Sequence, residues 1–281
     1  MLIDRSSSRL DRRRGFDMTI AFRPKPGLSD GERAPVLAPA NDSGFEFAGR
    51  NEGDLELALA QLLCTRLCHD LIGPTAAISA GEELISAEGA EDPEAHELVA
   101  DSARQLAGRL AFFRMVFGHG DPVVRASRAE GATVAETLAL ADGFLLGGRV
   151  RLERAADGGD GLADVLSCAQ ARLLLNLIMV ATDALPRGGR VQVGVSRLDE
   201  TLRLTTTMSG PGARLADDLR SALRTGDAAS ATPRTIHAVY LGRLARQCGA
   251  SIEFVAEVDA RADGAALGLH VVFAQEFRAA A

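Results

Sequence analysis

The chain predicts an α+β protein in which a long antiparallel helical hairpin precedes a sandwich of one sheet against helices. Three observations carry this expectation. A helical pattern runs from Asp54 to Glu88, a second runs from Glu94 to Phe117 beyond a break at Gly89-Ala90-Glu91-Asp92-Pro93, and apolar and polar residues alternate from Arg190 onward. In a lone hairpin each apolar stripe meets only one neighbour. Pairing of two chains into a four-helix bundle is the economical way to cover it, so a homodimer is expected.

Taken in order, residues 1–50 carry Arg/Ser and Pro/Gly/Asp clusters without sustained periodicity, the composition of a flexible N-terminal extension. The hairpin occupies residues 51–119, and its first arm would be roughly 50 Å long at 1.5 Å per residue. Residues 120–130 form a linker, and residues 131–281 a second domain. There, Thr133 to Leu145 is expected to be helical, Arg149 to Ala155 a strand, and Leu162 to Leu185 a long helix ending at P-R-G-G. Arg190 to Leu198 and Leu202 to Met208 read as a β-hairpin around Asp199-Glu200. Helices near Ala213 to Leu223 and Ile236 to Cys248 follow, and Ser251 to Val258 and Leu267 to Gln275 close the fold as strands.

Composition narrows the function. A formal charge of -7 lacks the concentrated basic face that phosphate neutralisation requires, which argues against a nucleic-acid partner. No apolar run is long enough to cross a bilayer, so no membrane partner is expected. The four cysteines, Cys64, Cys68, Cys168 and Cys248, show no disulfide spacing, and no signal-peptide pattern opens the chain, which points to the cytoplasm. C-T-R-L-C-H at Cys64 to His69 is one residue too long for haem attachment by C-x-x-C-H. Two small apolar side chains, partly buried on a helix, are expected instead.

The sharpest local feature is L-C-H-D-L-I-G-P, Leu67 to Pro74, inside the first helix. Proline in a helix interior costs ~3 kcal/mol, and such costs collect at functional places. On a helical wheel Leu63, Leu67, Leu71, Pro74, Ile78, Gly81 and Ile85 share one direction, and His69 lies ~160° from it. Leu62, Thr65, Ile72, Gly73, Ala76 and Ala80 line up with His69, so the outer face is small and apolar where charge would be usual. Such a stripe suits a docked partner. A neutral imidazole nitrogen is a nucleophile toward phosphorus, and Asp70 can orient the ring or take its proton. Arg66, one turn earlier, is a candidate phosphoryl or partner contact, with a solvated surface charge as the alternative. Arg104 and Arg114 are weaker candidates with the same alternative.

His69-Asp70-Leu71 with Pro74 resembles the H-E/D-L-x-x-P phospho-acceptor box of dimeric sensor histidine kinases. The stretch Leu173 to Gly189 resembles the N-box helix of their ATP-binding domain, and S-G-P-G at Ser209 to Gly212 its N-G-P-G segment. The resemblance covers roughly residues 54 to 275 and implies that residues 131–281 form a HATPase-like α/β sandwich. It also implies that the sandwich is degenerate. The magnesium-binding second Asn of the N-box corresponds to Val180, the adenine-binding Asp to Met208, and two phosphate-cradling glycines to Thr235 and His237.

A phospho-acceptor hairpin on a degenerate kinase domain is similar to the ChpT-type histidine phosphotransferases. R-L-C-H-D at Arg66 to Asp70, S-A-R-x-L at Ser102 to Leu106, and F-x-R-x-x-F-G at Phe112 to Gly118 fit that family. The resemblance implies a homodimer that accepts a phosphoryl group on His69 from a hybrid kinase receiver domain and passes it to a response regulator's aspartate. It implies no cofactor on this chain, no ATP, and magnesium carried by the receiver. Two rival readings are a divergent ATP-dependent histidine kinase and a non-catalytic scaffold that binds receivers.

Overall fold

A computed structural model of the chain describes residues 52–88, 92–118, 131–155, 165–198, 201–257 and 266–273. The expected extension 1–50 and linker 120–130 lie outside the described residues.

Helix α1 spans Glu52–Glu88 and α2 spans Pro93–Phe117, the two arms of the expected hairpin. Asp92 starts α2: its carboxylate accepts from the amides of Glu94 and Ala95, and Pro93 takes a first-turn position where no amide is required. The arms pack closely, and a side chain at Gly81 would collide with Val99 on the facing arm.

The second part begins with a two-residue strand, β1 (Ala132–Thr133), and α3 (Val134–Leu145), which Thr133 and Glu136 open with a reciprocal capping box. Strand β2 (Val150–Arg154), β3 (Val165–Leu166) and α4 (Cys168–Asp183) follow. The helix expected over Leu162 to Leu185 is therefore corrected at its start. Val165 and Leu166 pair antiparallel with β1, and Ser167 with Gln170 forms a capping box that begins the helix only at Cys168. An unbroken apolar pattern hid this S-x-x-Q start signal. Pro186, which disfavours helix in the residue before it, stops α4 near its expected end.

Strands β4 (Gly189–Leu198) and β5 (Thr201–Ser209) form the expected hairpin, in register from Arg190 opposite Ser209 to Leu198 opposite Thr201. The next helix, α5 (Asp217–Thr225), starts four residues later than expected, because Ala213 to Ala216 lie outside any helix and Ala216 is extended. In that run Arg214 donates its amide to the Ala184 carbonyl, a bond outside any helix. Helix α6 (Ile236–Gln247), β6 (Ala250–Glu257) and β7 (Ala266–Phe273) complete the described chain.

The main sheet has the order β2-β4-β5-β7-β6, parallel only between β2 and β4. Period-2 alternation sends Val191, Val193, Leu204, Met208, Leu269 and Val271 into a buried layer with α4, whose residues from Leu173 to Ala181 are all buried. This is an α+β fold, a helical hairpin joined to a sandwich of one sheet against helices.

Hairpin and sandwich share one hydrophobic core. Phe112 of α2 stacks on Phe144 of α3 with ring centroids 4.2 Å apart. Gly108 and Gly143 let the backbones of those two helices touch, since a Cβ at Gly108 would overlap the Gly143 carbonyl. Arg172 of α4 donates to the carbonyls of Met115 and Gly118, capping the end of α2, and the Tyr240 hydroxyl donates to Val116 at 3.3 Å. Among the described residues no helix is long and apolar enough to cross a membrane.

Candidate functional site

His69 projects from the middle of α1 with 80% of its side chain exposed, facing away from the core as the wheel requires. Its Nδ1 lies 3.2 Å from Asp70 Oδ1. A carboxylate only accepts, so this contact places the ring proton on Nδ1 and leaves the Nε2 lone pair free. A free imidazole nitrogen on an exposed ring is what attack on phosphorus requires.

Asp70 is held at three points. Oδ1 faces His69. Oδ2 accepts from Arg66 Nε at 3.2 Å, a pair spaced i,i+4 along α1. The backbone carbonyl of Asp70 accepts from the Arg109 guanidinium of α2. Pro74 explains the third bond. In a helix that carbonyl would bind the amide of residue 74, and proline has none. The orphaned oxygen is taken instead by the facing arm.

Arg66 ties α1 to the sandwich. The guanidinium turns inward, where its second nitrogen pairs with Asp183 Oδ1 of α4 at 2.9 Å. Burial works against the Arg66 charge, yet the Asp183 and Asp70 carboxylates outweigh it and hold the guanidinium pKa above its ordinary value. Asp183 Oδ2 in turn lies 3.2 Å from Nδ1 of His237, which is buried at the start of α6. The ring of His237 stacks on Phe117, and its Nε2 has no hydrogen-bond partner.

The outer stripe is less uniform than the wheel predicts. Thr65, Ile72 and Gly73 are exposed, Ile72 by 51%. Ala76 is half-buried, and Leu62 packs against the shared core. A wheel with one core direction misses the second neighbour of α1. Leu62 packs against the shared core and Arg66 pairs with Asp183 of the sandwich, while Leu67 and Leu71 are half-buried against the same core and Pro74 is buried. Cys64 and Cys68 are exposed, not partly buried as expected. Arg104 pairs with Asp101 on the surface of α2, and Arg114 is exposed.

Asp183, His237 and Arg109 were missed as members of this site. Asp183 had a signal in T-D-A-L-P, an acid at the end of an apolar helix, and His237 was noted only as a departure from glycine. A cleft of about 150 Å³ opens beside Asp70, lined in part by Arg109, Phe144, Arg149 and Thr182. The positions that would hold nucleotide in a kinase do not fit it. Val180 and Met208 are apolar and fully buried, Thr235 bonds Thr232, and His237 fills its position with a ring tied to Asp183.

A family model described as the histidine phosphotransferase C-terminal domain matches residues 134–260. That match is to the class of histidine phosphotransferases. The protein phosphotransferase ChpT of Brucella abortus (strain 2308) is 32% identical over 207 residues, covering 72% of this chain and 92% of that protein. The chain belongs to the ChpT family of phosphotransferases. A solved structure of a bacterial phosphotransferase agrees, covering 76% of this chain and 96% of its own at 26% identity and a TM-score of 0.58.

Proposed function

We propose that the protein is a phosphorelay intermediate in which His69 takes a phosphoryl group from the aspartyl phosphate of one receiver domain and gives it to the aspartate of another. The observation that carries this reading is the pairing of His69 Nδ1 with Asp70 on a ring that is otherwise exposed. Nε2 attacks phosphorus as the P–O bond to the donor aspartate breaks and its carboxylate departs. The positive charge that develops on the ring is met by Asp70, which also accepts the Nδ1 proton. In the second half-reaction the acceptor's carboxylate oxygen attacks phosphorus, the N–P bond breaks with its electron pair returning to Nε2, and Asp70 gives the proton back to Nδ1 to restore the neutral ring.

Receivers would dock on Thr65, Ile72, Gly73 and Ala76, with Leu62 supporting the stripe from below. Magnesium would arrive in the receiver's acidic pocket. ATP has no role on this reading, which the apolar burial of Val180 and Met208 supports. A homodimer is part of the proposal, because Leu57 and Leu84 of α1 and Leu98 and Leu110 of α2 are left exposed by a single chain.

The test is label transfer from a phosphorylated receiver through the purified chain to a second receiver. Wild type should carry label on the way, and His69→Ala should stop the flow. Unchanged flow through His69→Ala would favour the scaffold, and stable self-labelling from ATP without a donor would favour a kinase. Light scattering on the same sample should give the mass of two chains, and a monodisperse monomer would remove the dimer.

A further inference from the structure

The sandwich has lost the groups that would bind nucleotide, yet it reaches the phospho-acceptor helix through a continuous path of charge. From the outside inward the path is His69, Asp70, Arg66, Asp183 and His237, with contacts of 3.2, 3.2, 2.9 and 3.2 Å. Each carboxylate uses both oxygens and Arg66 uses two nitrogens, so each of the three inner members has one partner on each side. The first three residues lie on α1, Asp183 at the end of α4 and His237 at the start of α6.

We propose that Asp183 is a positioning residue for phosphoryl transfer at His69, acting through Arg66 and Asp70, and that His237 in turn fixes the orientation of Asp183. This rests on the reading of His69 as the phospho-acceptor. Arg66 and Asp70 belong to one helical turn and could pair without help. The Arg66 side chain, however, has many rotamers, and Asp183 selects the one that presents Nε to Asp70 Oδ2. With that oxygen occupied, Asp70 is left with Oδ1 to offer His69. The carboxylate is thereby fixed in the rotation that selects the Nδ1–H tautomer. His237 takes the remaining Asp183 oxygen from a buried site, where the ring has little freedom to turn away.

The chain of contacts predicts a kinetic split. Asp183→Asn should slow single-turnover transfer from a phosphorylated receiver to His69 by about 10-fold, with receiver affinity within twofold of wild type. Because Asp183 acts through Asp70, the same substitution should have almost no further effect in an Asp70→Asn background. Full additivity of the two, or a loss that lies wholly in receiver affinity, would overturn the proposal.

A second readout needs no phosphate. Imidazole ¹⁵N shifts of His69 in the full-length wild type should report the Nδ1–H tautomer, and Asp183→Asn and Arg66→Met should each shift the population toward Nε2–H. His237→Ala should do so by a smaller amount. An unchanged His69 tautomer in a folded Asp183→Asn protein would defeat the positioning role. Should wild type fail to take label while the tautomer responds as expected, the relay reading falls and the coupling stands.

Discussion

His69 and His237 sit at opposite ends of one ion-pair path, each with Nδ1 at 3.2 Å from an aspartate, yet one side chain is 80% exposed and the other 2%. The local chemistry is the same and the outcome differs. At His69 the second nitrogen meets solvent, where an incoming phosphoryl group can reach it. At His237 the second nitrogen is enclosed without a partner, so the ring can only hold its aspartate. An acid orients the ring at both places, and exposure is what separates the two histidines.

The comparison is broken most completely by exchanging each histidine in turn. His69→Gln should abolish acid-labile labelling from a phosphorylated receiver, whereas His237→Gln should keep labelling within about 10-fold of wild type. The second variant should also melt at lower temperature, by an amount fitting a buried change of about 1–3 kcal/mol. Equal loss of labelling in both would mean that the two rings are not divided into a reacting and a supporting one.

An intermediate effect concerns the proline. Pro74→Ala should restore a helical amide for the Asp70 carbonyl and stabilise α1, with a gain of up to ~3 kcal/mol before repacking of the buried site is subtracted. Arg109→Ala should destabilise the wild type by about 1–2 kcal/mol and the Pro74→Ala protein by clearly less. Chemical denaturation of the four proteins closes this cycle. Identical costs of Arg109→Ala in both backgrounds would show that the proline does not create the site Arg109 fills.

The smallest effect sharpens the exposed end. Gly73 faces open space, with nothing within 4 Å of an added Cβ, so Gly73→Ala should raise stability by about 0.5–1 kcal/mol. The extra methyl group stands one turn from His69, and receiver affinity should fall severalfold if partners dock on that stripe. Titration calorimetry with a receiver domain reads both signs on one protein. A variant that is more stable and binds as before would move the docking surface elsewhere.

Much of the fold was legible because its signals are local. The arms of the hairpin, the β4–β5 pair and the closing strands all follow from periodicity and breakers within a few residues. The start of α4 was misplaced because a buried helix is apolar all round, which leaves the Ser167–Gln170 cap as the boundary signal. His69 and Asp70 could be singled out from spacing, and the exposed ring agrees with the wheel. The rest of the site could not be read this way. Asp183 and Arg66 are 117 positions apart and meet through tertiary packing, and Arg109 meets Asp70 across the hairpin. The wheel also assumed one neighbour for α1, so it turned Leu62 outward when the side chain packs against the shared core.

Pro74 has one more consequence. By removing a single amide hydrogen it makes the backbone beside the His69 ring sensitive to the axial alignment of the other arm. A slip of α2 along α1 by one helical turn, about 5.4 Å, would carry Arg109 away and leave that carbonyl bare. The hairpin is thus keyed like a vernier, with the reading taken next to His69.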